Sequence, residues 1–560
     1  MILVIAEKPS VAQSIAKVLG ATSRKDGYME GGNYIVSWCF GHLVELADAS
    51  SYDERYAKWR YDDLPIVPES WMFEVTKDKA QQFKVLSALM KDKRVTELVC
   101  ATDAGREGEL IFRLVYDKAG CTKPFKRLWI SSLEDSAIRE GFQHLRDGKD
   151  YDRLYEAALS RSKADWIVGI NGTRLFTTLY HKKLVVGRVQ TPTLAMLVER
   201  DGKISTFQKE KYFNVHVGKG DLTADLEKVK TEEEAKRIAA ACEKKQAVVS
   251  SLKRETKTVN PPKLYDLTTL QREANRYYGF TAQQTLDLVQ TLYEKKLLTY
   301  PRTDSQFITD DMEDTARQVI SIVCRQLPLF SDVSVTPDIA RVTDNSKVTD
   351  HHAILPTVQL EKQDVSALPQ SEQKILNLVG MRLLCATGEK HTYAETQITL
   401  SCESYTFKTK GKTVVQNGWK AIEELFKSSL KTKEKDDPVK SLPEVHEGDV
   451  LEGVSASVTE HFTTPPKQYT EDTLLSAMET AGNDQFDDDT EKKGLGTPAT
   501  RAGIIEKLVK SGFAERKGKS LIPTKDGYNL VCVLPEQITS PKMTAEWENT
   551  LMEIERGNAD

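Results

Sequence analysis

Glu7 and Lys8 directly follow an apolar run at residues 2–6, and Asp103, Glu107 and Glu109 follow a second at residues 95–101. If both runs are parallel strands of one sheet, these side chains emerge at its carboxyl edge, where open α/β sheets bind ligands. Carboxylate oxygens there suit Mg²⁺, a hard cation that completes its shell with water and substrate phosphate. Acidic residues after strands also cap helices, and Asp103 is placed for that use too.

Tyr300 lies in the segment TYPRTDS at residues 299–305. A helical pattern runs into it, and Pro301 stops that helix, so the tyrosine is presented at a break. A phenol is a weak nucleophile near neutral pH unless its anion is stabilised. Arg302 could stabilise it, or could grip a phosphate with two N–H groups. The plainer alternative is an ordinary buried tyrosine, one of 19 in the chain. His351, in DHHAILPT at residues 350–357, could shuttle a proton or donate to a phosphate. A structural use is the competing reading, and no third ligand nearby points to zinc.

A further set is basic and polar. Arg161, Asp165 and Arg174 share a helical stretch, and Arg161 with Asp165 has the four-residue spacing of an ordinary helix ion pair. The segment Val186, Gly187, Arg188, Val189, Gln190 and Thr191 follows, where glycine permits close approach and Arg188, Gln190 and Thr191 offer donors suited to phosphate oxygens. Thr500 and Arg501, in GLGTPATR at residues 494–501, open another helix, whose free amide groups could bind an anion or simply be capped.

The elements that must position these residues follow from pattern. Residues 2–6 read as a buried strand, Pro9 opens a helix that Gly20 closes, and strands are expected at 95–101 and 127–130. Strand, tight turn and helix in repetition predict a doubly wound α/β unit over residues 1–150. Residues 151–178 have helical periodicity, residues 212–255 and 391–423 alternate as strands do, and a helical block separates those two stretches. Residues 427–449 and 483–493 read as polar surface segments.

At about 150 residues per domain, 560 residues correspond to three or four domains. Ordinary globular composition, 39% hydrophobic and 29% charged, excludes a membrane protein, a collagen-like fibre and a wholly disordered chain. The net charge of −5 excludes a globally basic surface, so any nucleic acid must be held by a local groove. Eight cysteines without a CxxC pair indicate a reducing compartment and no structural zinc. The first apolar run is too short for a signal segment and none reaches the ~20 residues of a membrane span, which predicts a cytoplasmic protein with no membrane partner.

Taken together, AEKPS at 6–10, GHL at 41–43, ATDAGREGE at 101–109, ADWIVGINGTR at 164–174, GRVQTPTL at 187–194, TYPRTDS at 299–305, DHHAILPT and GLGTPATR resemble the type IA DNA topoisomerases, in particular the bacterial topoisomerase III branch. Their order and spacing agree over nearly the whole chain. The resemblance implies a multidomain α/β plus α plus β protein: a Toprim (Rossmann-like) domain within a four-domain toroid. It implies the Toprim unit at 1–150, a helical DNA-groove unit at 151–211 plus 466–560, a β-rich arch at 212–263 plus 391–465, and a helical unit carrying the tyrosine at 264–390.

It also implies a reaction. Tyr300 attacks single-stranded DNA and forms a 5′-phosphotyrosyl link, another strand passes, and the 3′-hydroxyl reseals the break without ATP. This relaxes negative supercoils and decatenates. The absence of a GxxxxGK[ST] phosphate loop agrees with that. By position, Glu7, Asp103 and Glu107 are implied to bind Mg²⁺, Lys8 and Arg302 to stabilise the scissile phosphate, Glu7 to handle the proton of the leaving oxygen, and His351 to orient the phosphate or nearby backbone. Arg161, Asp165, Arg174, residues 186–191, Arg302, Thr500 and Arg501 are implied to contact DNA. Many relatives have a third acid where this chain has Gly105, so one Mg²⁺ at Glu7 and Asp103 is expected, with Glu107 as an outer ligand. Relatives often continue into a basic or zinc-bearing tail beyond the point where this chain stops, as a truncated chain would.

Two rivals compete: a Toprim primase or nuclease that cleaves without a tyrosyl link, and a non-enzymatic single-strand binder. The expected partners are single-stranded and negatively supercoiled DNA, with a helicase as a candidate the sequence does not name. The protein is expected to be a monomer in the bacterial cytoplasm, at the nucleoid or on a plasmid.

Overall fold

The computed structural model describes residues 1–348, 351–430, 441–482 and 494–559. The acidic segment 483–493 and part of the polar segment 427–449 lie outside the described residues.

The amino-terminal strand β1 (Ile2–Ala6) is apolar throughout and lies at the centre of a seven-stranded sheet. Helix α1 (Pro9–Leu19) follows it. Strands β2 (Ser23–Lys25), β3 (Tyr28–Gly31) and β4 (Tyr34–Trp38) fill one side of the sheet. On the other side are β5 (Glu97–Ala101), helix α2 (Arg106–Lys118), β6 (Phe125–Arg127) and the edge strand β7 (Arg146–Asp147). The order is β2-β3-β4-β1-β5-β6-β7. The inner strands β4, β1, β5 and β6 run parallel and the outer pairs antiparallel. Buried aliphatic side chains cover both faces, as a parallel core requires. The strand expected at 127–130 falls instead at Phe125–Arg127, because Pro124 and Phe125 pair with Leu98 before the chain turns away.

Helix α3 (Asp152–Tyr180) is 29 residues long and leads through a short crossing to α4 (Gln190–Ser205). The second large sheet is antiparallel throughout. It comprises β8 (Lys211–Lys219), β9 (Leu222–Val229), β10 (Ala247–Val259), β11 (His391–Cys402), β12 (Tyr405–Gln416), β13 (Val450–Leu451) and β14 (Ser455–Phe462), in the order β13-β10-β11-β12-β9-β8-β14. Two distant stretches of chain thus build one sheet. The strand expectation fails at two places. Residues 232–242 form helix α5 (Glu232–Cys242), capped by Thr231 and carrying three glutamates in its first turn, which outweighs the alternation around it. Residues from 419 onward form a helix, Trp419–Ser429, whose apolar side packs on the helical core.

Between the two stretches lies a helical unit with a large core of its own. It contains α6 (Leu267–Tyr278) and α7 (Ala282–Glu294), the latter opened by a Thr281–Gln284 capping box. The carboxyl-terminal part adds α8 (Glu471–Thr480), α9 (Pro498–Lys510) and α10 (Lys542–Glu555); the first two pack with α4 into another core.

Candidate active site

The register Ala6↔Ala101 brings Glu7 and the Thr102–Asp103 pair side by side at the carboxyl edge of the first sheet. Arg127, fully buried, fastens this edge. Its guanidinium donates to the carbonyls of Thr102 (2.8 Å) and Asp103 (2.7 Å) and lies 3.0 Å from the buried carboxylate of Glu109. Glu109 is thereby consumed as a structural counter-ion. Gly108 is required here, because a Cβ would stand 1.9 Å from the Asp103 carbonyl oxygen. Gly105 has φ +143°, a conformation that an aspartate in its place would strain to adopt.

Burial, and Asp103 beside it, push the Glu7 carboxyl up to about 7; Arg302 and Lys8 pull it back in part. Two acids pressed together in a buried pocket fit a divalent cation. Among the described residues no three His, Cys, Asp or Glu side chains converge as a complete metal cage. Glu107 is engaged by His42 at 3.1 Å, and that contact holds its carboxyl below the usual range. His42 belongs to the GHL motif at 41–43, and nothing in its local spacing signals this contact with a residue 65 positions away.

Tyr300 is 5% exposed and packs on the core of the first sheet, although it comes from the helical unit. Its hydroxyl donates to Asp103 Oδ2 at 3.1 Å. Its amide donates to the Ser131 carbonyl at 3.0 Å. The rings of Tyr293 (5.5 Å, edge-on) and His351 (4.2 Å) flank it. Burial and the Asp103 charge hold the phenol protonated, well above its usual range, and Arg302 opposes them. His351 Nε2 donates to the Ala104 carbonyl at 2.6 Å, so Nδ1 accepts from Ser131 Oγ at 2.9 Å. Burial pushes this imidazole down to about 3, and it is neutral at physiological pH.

Arg302 is half-buried, and its Nε is buried with no hydrogen-bond partner. A cavity of about 270 Å³ joins Glu7, Asp103, Glu107, Tyr300, Arg302 and Arg161. Lys8 stands outside that lining, paired with Glu294 of α7 at 3.6 Å.

The basic set divides. Arg161 and Asp165 do not pair with each other as their spacing had allowed. Asp165 takes Arg188 Nε at 2.8 Å, and Arg161 Nε lies 3.9 Å from Glu548. The fork of Arg188 reaches the helix from the crossing segment and displaces the local partner. Arg174 is buried, donating to the Tyr56 carbonyl at 2.7 Å beneath the ring of Trp59. Within the crossing segment, Val186 is buried, its amide held by Thr173. Thr191 accepts from Gly187, Val189 accepts from Thr193, and the buried Gln190 Nε2 has no hydrogen-bond partner. Thr500 closes a capping box with Thr497. Arg501 is buried and ties the Leu495 and Gly496 carbonyls to Thr268 of the tyrosine-bearing unit.

The sheet, its acidic edge and the tyrosine from a separate helical unit define a multidomain protein built on a Toprim unit: residues 2–133 match the family model of the Toprim domain. Residues 149–560 match the family model described as DNA topoisomerase. The chain belongs to the type IA DNA topoisomerases, which are isomerases. It is 41% identical to DNA topoisomerase 3 of Bacillus licheniformis over 577 residues and 40% identical to that of Bacillus subtilis over 575, covering 99% of this chain and 78% of each relative. The full-length topoisomerase I of Thermotoga maritima superposes with a TM-score of 0.74 at 25% identity, over 100% of this chain and 87% of that one. Toprim domains as a class bind Mg²⁺, and type IA enzymes act on single-stranded and supercoiled DNA. Among the described residues no helix is long and apolar enough to cross a membrane.

Proposed function

We propose that Tyr300 opens a phosphodiester of single-stranded DNA by direct attack. The Tyr300 Oη–phosphorus bond forms, the bond from phosphorus to the 3′-oxygen breaks, and the downstream 5′-phosphate stays on the protein. The phenol proton passes to the Asp103 carboxylate that already accepts its hydrogen bond. Glu7, at the same sheet edge as Asp103, passes a proton on to the departing 3′-oxygen. Arg302, with Lys8 behind it, meets the charge on the phosphate, and His351 holds Ala104 and Ser131 beside it. Glu7 and Asp103 would hold Mg²⁺, with Glu107 outside them; bound there it supplies positive charge against the developing phosphate charge. Religation reverses the same bonds, with the 3′-hydroxyl as nucleophile, after another strand has passed.

The observation that supports this reading is the 3.1 Å hydrogen bond from Tyr300 to Asp103, across 197 residues and two cores. The four-unit division given above accompanies it, supported for the arch by the sheet that joins residues 211–259 to 391–462. So do a monomeric state, a bacterial cytoplasmic location at the nucleoid or on a plasmid, and a helicase as partner class. Plasmid relaxation tests it. The protein should relax negatively supercoiled DNA only with Mg²⁺ present, and Tyr300→Phe should abolish relaxation while leaving DNA binding intact. Relaxation by Tyr300→Phe would refute it, as would nicking without religation, the outcome expected of a nuclease.

A further inference from the structure

The buried carboxylate of Glu548, on α10, belongs to no step above. It is 3% exposed and stands among three guanidinium groups: Arg188 Nη1 at 3.2 Å, Arg106 Nη1 at 3.8 Å and Arg161 Nε at 3.9 Å. Only the first is a hydrogen bond, and Oε2 is buried with no hydrogen-bond partner. The other two arginines are attracted without being committed.

The partners sort further. Arg188 is also held by Asp165, and its carbonyl accepts from Thr544 of α10 at 2.7 Å. Arg106 is also held by Glu555, Nε to Oε2 at 2.8 Å. The ion pair with Glu548 is the one polar contact that Arg161 makes among the described residues. Arg106 and Arg161 line the cavity that contains Tyr300 and Arg302, whereas Glu548 lies behind that wall. A buried anion thus draws two cations to the cavity wall beside the candidate nucleophile: Arg161, whose remaining N–H groups are unspent among the described residues, and Arg106, whose Nη1 faces Glu548 while Glu555 holds its Nε and Nη2.

We propose that Glu548 is a positioning residue that stands in for a DNA phosphate, holding Arg161 and Arg106 at the cavity wall as a subsite for the phosphate next to the scissile one. This rests on the DNA-cleavage reading of the site. When a phosphate arrives, the two arginines turn their N–H groups to it, and Arg188 keeps Glu548 compensated. Removing the carboxylate charge leaves one positive charge unbalanced at the wall, so single-stranded DNA should bind tighter, through one more effective phosphate contact.

The experiment measures oligonucleotide affinity against salt in the Tyr300→Phe background, where no cleavage intervenes. Glu548→Gln keeps the shape and an acceptor for Arg188. It should bind about fivefold tighter at low salt, with the log–log salt slope steeper by about 0.7, the increment for one phosphate on a single strand. Glu548→Asp should restore the parental affinity. In the Tyr300 enzyme, Glu548→Gln should lower KM and kcat together, since a tighter substrate is released more slowly. Unchanged affinity and slope, or weaker binding, would overturn the proposal. If Glu548→Gln does not fold, Glu555→Gln frees Arg106 from a more exposed position and should tighten binding about twofold; no change there overturns it equally. The covalent-adduct assay is independent of this binding series, so failure of the subsite and failure of the tyrosyl reading give different results.

Discussion

The acidic junction lines the cavity, the buried arginines Arg174, Arg188 and Arg501 lie outside its lining, and the two sets handle charge differently. At the junction, Glu7 and Asp103 press on each other in a buried site, the nearby Arg302 keeps an unpartnered Nε, and the Tyr300 phenol is, among the described residues, the one side-chain donor to Asp103. Among the buried arginines, Arg188 is balanced by Asp165 and Glu548, Arg174 by a carbonyl, an indole and Asp48 at 3.7 Å, and Arg501 by two carbonyls and a hydroxyl. Even so, Arg188 Nη2 and Arg174 Nε, like Arg302 Nε, are buried with no hydrogen-bond partner among the described residues. Uncompensated charge costs folding energy, so a sequence that retains it has a use for it. Arginines whose charge is paired with a carboxylate or tied to carbonyls act first as scaffold, and the loosely held Arg161 belongs with the junction.

The largest effect that could break this contrast is at Asp103. Asp103→Asn keeps the shape and removes the acceptor charge, and should slow cleavage by about 10³-fold with no loss of stability. A cleavage assay beside a denaturation curve checks both; normal cleavage would place the chemistry elsewhere.

Next come paired arginine variants. Arg302→Gln should cut cleavage about 10²-fold and leave stability unchanged. Arg501→Ala should destabilise by about 3 kcal/mol, because the Leu495 and Gly496 carbonyls lose their buried donor. If both variants lost stability alike, the division between stressed and satisfied charges would fail.

The third prediction concerns pH. The Glu7 carboxyl rises from 4.5 to about 7 on folding. Between those values the native state holds a proton that the unfolded chain has released. The metal-free protein should therefore lose stability as pH rises through that window, by up to about 3 kcal/mol. Mg²⁺ or Glu7→Gln should flatten the curve, which denaturation at a series of pH values would reveal. The smallest effect is at Glu294, whose partly exposed pair with Lys8 should contribute under about 1 kcal/mol. Glu294→Gln should change DNA affinity by less than about threefold.

The junction was legible in the sequence because its logic is local. Two apolar runs, each followed at once by acids, put Glu7 and Asp103 at one sheet edge. The helix leading toward Tyr300 was legible too, but it ends at Glu294, with Lys296 in the left-handed region, and not at Pro301 as its pattern suggested. What stayed hidden depends on contacts between distant residues. Arg127 looked like any strand residue until the fold curled the Asp103 loop around it. His42 reaches Glu107 across 65 residues, and Glu548 reaches Arg188 across 360. The Arg161–Asp165 spacing was readable, but helical spacing cannot report that Arg188 competes for the same carboxylate. Helix α5 was concealed by the strand alternation on either side of it, although Thr231 and three glutamates marked its start.

The most direct test is to stop the reaction with denaturant on an end-labelled single strand and to map the DNA-bearing peptide by mass spectrometry. The account predicts that the 3′-labelled fragment stays on the protein through Tyr300, while the 5′-labelled fragment leaves with a free 3′-hydroxyl. Label retained on the 5′ fragment, a link to any other residue, or cleavage with no protein attached would contradict it.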